Sequence, residues 1–207
     1  MTDTLLPPTE LDEFHALRAD VYRLLARLLR EAPDHVLLDW LAGLEVEDDD
    51  SPLATHWREL IASARDAAVE ELTRAHFRHL VGVIQGDVTP YASWYRNGEL
   101  MDTALVTLRR DLKALGVERN ERTRDPEDHL AALCEVMALL IEARSPAEAR
   151  FFMTHLAPWA GHCLADLAAV ASPFYSRLGR LGRAFTDTEE ALLASEAAQD
   201  PVRLVEP

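Results

Sequence analysis

An all-α fold follows from three features of this 207-residue sequence. Apolar residues recur at helical spacing in one segment after another, and nowhere do they alternate with the period of two that marks a strand. Proline, serine and aspartate stand where helices begin, and glycine stands where they stop. Ala and Leu carry the apolar positions, the composition of a helical core.

From Glu10 to Glu31 the residues Phe14, Leu17, Val21, Leu24, Leu25 and Leu28 form one stripe, which predicts a helix with a single inward face. Pro33 ends it, and Asp34 caps a short second helix through Leu44. The stretch "EVEDDDSP" is a solvated acidic loop whose Asp50 or Ser51 caps the next helix, although its charge would also suit a basic segment. Pro52 to about His79 reads as one helix with Trp57, Leu60, Ile61, Ala64, Ala68 and Leu72 on its inner face. "GVIQGDVTPYASWYRNGE" then breaks the pattern, and helix resumes from Glu99 to Leu115 with Gly116 as its stop. The polar run "GVERNERTRD" is the best linker, near the middle of the chain.

The second half is again helical. Residues 126–144 form a helix whose stripe of Leu130, Leu133, Cys134, Met137, Leu140 and Ile141 is widened by Val136 and Leu139, which predicts a central position. Ser145 and Pro146 start the next helix, Pro158 starts another after a break near Ala157, and Pro173 starts the last, with Phe174, Leu178, Leu181 and Phe185 inward. The expected organisation is one helical unit over 1–207. It comprises an N-terminal part 10–115, a linker or hinge 116–127, a C-terminal part 128–193 and a loose tail 194–207.

A net charge of -15 argues against nucleic acid and favours a basic partner. Cys134 and Cys163, both in apolar helical patterns, read as buried reduced thiols. No apolar run reaches the roughly 18 residues of a membrane span, and the start of the chain lacks the basic and apolar regions of a signal peptide. The expectation is a soluble cytoplasmic protein without stable membrane insertion.

Chemistry is sparse. There is no phosphate-cradling glycine loop and no nucleophile elbow. His76 and His79 share a helix face without completing a ligand set and read as surface residues, so no metal and no cofactor are expected. In "DPEDHLAALCEVMALLI" (125–141), Asp125 suits an N-cap, Pro126 the first helical position, Glu127 the helix dipole and Asp128 a capping-box carboxylate. His129 caps nothing on this reading and is left over, and it cannot face its neighbour Asp128 on a helix. "PYASWY" sets Tyr91, Trp94 and Tyr95 together in a break between helices, either as plugs for the core or as an aromatic groove for an apolar peptide.

Three stretches carry a resemblance: "HLVGVIQGDVTPYASWY", "DPEDHLAALCEVMALLI" and "ARFFMTHLAPWAGHCLADLAAVASPFYSRLGRL". In this order they resemble the TorD/DmsD group of redox-enzyme maturation chaperones, related to the NarJ type, over about Glu10 to Leu193. The group's Glu-Pro-x-Asp-His motif corresponds to Asp125, Pro126, Glu127, Asp128 and His129, with Asp in place of the first Glu. Its aromatic-x-Ser-x-aromatic motif corresponds to Tyr91, Ser93 and Tyr95. The resemblance implies an all-helical bundle of two subdomains joined by a hinge, and a role that is not enzymatic. The implied partner is the apo catalytic subunit of a molybdopterin oxidoreductase and its twin-arginine signal peptide, held until cofactor insertion and before export. The wording is most similar to members associated with formate dehydrogenases.

The implied peptide-binding residues are Tyr91, Ser93, Trp94, Tyr95, Glu127, Asp128 and His129. In this reading the aromatics take the apolar part of the peptide, while Asp128, helped by Glu127, meets its arginines and His129 tunes the neighbourhood. Arg96, where the group commonly has an apolar residue, would repel a basic peptide start if it faced the groove. Two other classes remain open: a helical adaptor for a folded partner, and a nucleotide-binding protein. Monomer is expected, with a domain-swapped dimer as the alternative that linker 116–125 allows.

Overall fold

Helix starts follow the local chemistry of the chain. Asp12 accepts the backbone N–H of His15 (3.0 Å), Asp34 that of Leu37 (2.8 Å) and Ser51 that of Ala54 (3.1 Å), the last with Pro52 at the first helical position. The computed structural model describes residues 12–46, 49–82, 86–118 and 125–199, with the backbone alone for 196–199. Its helices are α1 (Glu13–Arg30), α2 (His35–Ala42), α3 (Pro52–Arg65), α4 (Val69–His76), α5 (Ala92–Asn97) and α6 (Thr103–Ala114). They continue with α7 (Leu130–Glu142), α8 (Glu148–His155), α9 (Ala160–Ala168) and α10 (Pro173–Gln199). Among the described residues the sole strand-like pairing is one antiparallel bridge, Tyr91 to His129. The chain is an all-α bundle.

The helices assort into two groups around a shared core. α1 lies along α7, while α10 lies along α9 and α3 and touches α8. Both groups therefore join elements from opposite halves of the sequence. α7 is central, with all six residues of its expected stripe and Val136 buried. α10 and α9 approach so closely that a Cβ on Gly179 would stand 2.4 Å from the Ala168 nitrogen. Only a glycine permits that contact.

A buried ion cluster ties α1 to α8 and α10. Arg18 donates to both carboxylate oxygens of Glu189 (2.7 Å each) and to Glu148 (2.5 Å), and it is 5% exposed. Burial opposes the charge on Arg18, but its bonds to Glu189 and Glu148 outweigh that and raise its pKa. The sequence pattern gives no hint of this residue, since a charged side chain on an amphipathic helix is normally solvated.

Several expectations are corrected. Phe14 and Leu17 are 56% and 58% exposed, so the inward face of α1 begins at Ala19 and Tyr22 and does not include the first turn. Leu139 is exposed on α7. The helix expected over 52–79 is interrupted at Asp66–Ala68, and after α4 it loosens into a π-helical turn, Phe77–Val81. His76 and His79 are buried and do not lie on a solvated face. The break between helices at 82–99 contains α5, and the resumed helix begins at Thr103, behind the cap Asp102. α10 runs to Gln199, past the Leu193 at which the helical part was expected to end. Cys134 and Cys163 are buried free thiols, as expected. Residues 119–124 of the linker lie outside the described residues.

Candidate functional site

The two motif segments, remote in sequence, are stitched to each other. The Ala92 N–H donates to the Asp128 carbonyl (2.9 Å) and the Leu130 N–H to the Pro90 carbonyl (2.8 Å), which makes the Tyr91–His129 bridge. Residues 125–128 make a bend and a turn, closed by the His129 N–H on the Pro126 carbonyl (3.2 Å), and α7 starts only at Leu130. This corrects the capping assignment. Asp125 does not cap α7 and Asp128 closes no capping box. His129 is the N-cap, its Nδ1 accepting the Ala131 N–H at 3.0 Å. Histidine is not among the usual N-cap residues, so no sequence rule would have assigned it.

Asp128 is fully buried. One of its oxygens, Oδ2, accepts both the Ser93 N–H (2.9 Å) and the Ser93 hydroxyl (2.6 Å), which fixes the start of α5. Its Oδ1 is buried without a partner. Ser93 Oγ in turn accepts the Met101 N–H (3.2 Å). Asp128 and Ser93 thus form the joint beneath the site. Glu127 points elsewhere and is paired with Arg109 (2.8 Å).

Above this joint lies a groove of about 310 Å³. Its wall includes Tyr91, Trp94 and Leu100 from the loop around α5, Leu80 and Val81 from the π-helical turn, and Arg30, Asp125 and His129. The π-helical turn is locked by the returning chain. The Val88 N–H donates to the His79 carbonyl (2.8 Å), and Gly86 passes so close that a Cβ there would sit 2.6 Å from the same oxygen. π-helical turns of this sort recur at functional sites. Trp94 (37%), Val81 (52%) and Leu100 (52%) keep substantial exposure, so the groove presents apolar surface to solvent.

Charge within the groove is arranged around His129. The Tyr91 ring stands edge-on to the imidazole (4.9 Å, 86°), and the Tyr91 hydroxyl donates to Asp125 (3.4 Å). Burial lowers the His129 pKa to about 4, with nearby Asp125 pulling the other way and Arg30 and His76 adding to the depression. The ring is therefore neutral at neutral pH. Its Nδ1 accepts the cap bond, which leaves the proton on Nε2. Burial, and then the Asp125 carboxylate, push the Tyr91 hydroxyl up to about 12. Arg30 is held by both oxygens of Glu135, its guanidinium charge already matched.

Of the seven sequence-derived site residues, Tyr91, Trp94 and His129 line the groove, and Ser93 and Asp128 lie beneath it. Glu127 and Tyr95 are outside its lining. Tyr95 stacks on Trp159 (5.6 Å) and donates to Asp166 (2.7 Å), so it serves as a core plug. Arg96 also faces away and donates to the Thr154 carbonyl (3.2 Å), which removes the repulsion expected from it. Arg30, Val81, Leu100 and Asp125 are groove residues that the sequence did not mark as such. Only the fold brings α1 and the π-helical turn to this wall. Among the described residues no cluster of His, Cys, Asp and Glu could hold a metal ion, and no helix is long and apolar enough to cross a membrane.

The chain is similar to known proteins across this region. The sequence model of the family "Nitrate reductase delta subunit" matches residues 46–165, a span that contains both motif segments. Chaperone protein TorD of Actinobacillus succinogenes is 32% identical over 80 residues, covering 37% of this chain and 42% of TorD, less than half of that relative's length. A protein of Haemophilus influenzae described as a probable Tat proofreading chaperone DmsD is 25% identical over 146 residues, 69% of this chain and 70% of that one. The fold matches a crystal structure described as a redox enzyme maturation protein of Archaeoglobus fulgidus, with a TM-score of 0.54, 15% identity and coverage of 84% and 94% of the two chains. With its all-α bundle and its two interlocked motifs, the chain belongs to the nitrate reductase delta subunit family, as a homologue of the TorD/DmsD-type redox-enzyme maturation chaperones.

Proposed function

We propose that this protein is a cytoplasmic chaperone for the apo catalytic subunit of a molybdopterin oxidoreductase. It takes the subunit's twin-arginine signal peptide into the groove at Tyr91, Trp94 and Asp125 and holds back export until cofactor insertion is complete. A formate dehydrogenase is the client that the sequence wording favours. The observation that carries the reading is the convergence of the two motif segments on one open groove of mixed apolar and polar lining, edged by a carboxylate.

Such a peptide has a basic start and an apolar middle. Trp94, Val81 and Leu100 suit the middle, and Asp125 within a chain of net charge -15 suits the start. Asp128 keeps its place in the proposed site, but as the buried residue that holds Ser93 and the loop, because its carboxylate presents no surface to an arriving peptide. His129 supports Tyr91 from behind.

Calorimetric titration with a synthetic twin-arginine signal peptide tests this. Tyr91→Ala and Asp125→Asn should each weaken binding, the second by roughly 1–3 kcal/mol, up to about a hundredfold. Exposed Glu190→Gln on α10 should leave it unchanged. Unaltered affinity in both groove variants would move the peptide to another surface.

A further inference from the structure

Between α5 and α6 the chain makes a short strap, residues 98–102, whose backbone is unusual. Gly98 ends α5 with φ +79°, which glycine adopts freely, but Met101 also stands in the left-handed region, at φ +63°. L side chains with a Cβ rarely do so, and Gly or Asn is the ordinary solution. The Met101 side chain gains no burial in exchange, since it is 67% exposed. Its neighbour Leu100 is 52% exposed and forms part of the groove wall.

The strap is anchored at both ends. The Met101 N–H donates to Ser93 Oγ (3.2 Å), and Ser93 is locked by its two bonds to Asp128. Asn97 donates to Asp102 (2.5 Å) and to Thr103 (2.9 Å), which ties the start of the strap to the start of α6. Two large apolar side chains are thus displayed to solvent by a constrained backbone, Leu100 in the groove wall and Met101 next to it in the chain. Strain of this kind persists where the surroundings over-determine it, and it gathers at ligand clamps. Methionine, unbranched and polarizable, is suited to covering apolar surface of variable shape.

We propose that Leu100 and Met101 form a clasp that closes over the apolar stretch of a peptide lying in the groove. Asp128, acting through Ser93, is the positioning residue that holds the clasp in place. The occupant is a peptide with a basic start followed by an apolar run. Glu99, exposed just before the clasp, and Asp125 in the groove wall supply the complementary charge for the basic start. This rests on the proposed peptide-binding function and adds to it the residues that read the apolar part.

The test uses the full chain and two synthetic peptides, one with paired arginines followed by a Leu/Ala run and one with that run replaced by Gly and Ser. Met101→Gly relieves the backbone and removes the side chain. It should raise Tm while weakening the Leu/Ala peptide at least fivefold and leaving the Gly/Ser peptide unchanged. Ser93→Ala should weaken the same peptide, and Met101→Gly combined with Ser93→Ala should be no weaker than the worse single variant. If wild type binds the Leu/Ala peptide and Met101→Gly binds it equally well, the clasp is wrong and the groove reading stands. A fall in Tm together with affinity in Met101→Gly would also overturn the clasp, since Met101 would then be a structural residue. Failure of wild type to bind either peptide would end both proposals.

Discussion

His129 shows how one residue can serve the helix and the groove at once. Its Nδ1 holds the first turn of α7, and its ring backs Tyr91. A proton arriving at Nδ1 would remove the cap acceptor and place a charge in a buried site. The sign of the pH effect follows from the two pKa values. The unfolded chain takes up this proton near pH 6.5, while the folded chain resists it down to about 4. The stability contributed by the neutral ring is therefore complete above pH 6.5 and is lost as pH falls toward 4. Burial also lowers the pKa values of His76 and His155, which adds in the same direction. We expect Tm to fall between pH 7 and pH 4.5, and to fall less steeply in His129→Asn, whose side chain can still cap but cannot titrate. Identical slopes for the two proteins would show that His129 is not a source of the acid sensitivity.

At the scale of elements, the contact of α9 with α10 is set by backbone approach rather than by side-chain size. Gly179→Ala would drive a methyl group into the Ala168 nitrogen and the Leu164 carbonyl, at 2.4 and 2.7 Å. Overpacking of this kind costs about 1–3 kcal/mol, which urea denaturation should register as a lower midpoint with unchanged slope. A variant as stable as wild type would mean that α9 shifts freely. Elements were legible wherever a local signal decides them. Asp34, Ser51 with Pro52, and the inward Phe174, Leu178, Leu181 and Phe185 of α10 all stand where the sequence pattern put them. The start of α7 was not legible. Asp125, Pro126 and Asp128 carry every local mark of a helix N-terminus, yet the pairing of 128–130 with 90–92 overrides it. The burial of His76 and Arg18 escaped for the same reason, since their partners Leu29 and Glu189 are 47 and 171 positions away.

At the scale of the whole molecule, the core is drawn from both halves of the chain, and Arg18 binds the first helix to the last. This shared core fixes the distance between the segments that carry the site. The two family motifs meet at one groove, and the fold divides their residues between its lining, its support and the core. Tyr91 and Trp94 face the groove, Asp128 and Ser93 carry it, Tyr95 packs into the core, and Asp125 lines the groove beside the Tyr91 hydroxyl. That division was beyond the sequence because it depends on which side of the Tyr91–His129 bridge each side chain occupies. The net charge of -15 suits a basic partner.

The most direct measurement sets the purified protein against the apo catalytic subunit of a molybdopterin oxidoreductase from the same organism, and against its mature cofactor-loaded form, by calorimetry. Binding to the apo form that is much tighter than to the mature form, and that is lost in the Tyr91→Ala, Asp125→Asn double variant, is the result predicted here. Equal affinity for both forms, unaffected by the double variant, would contradict the chaperone account and leave a helical adaptor in its place.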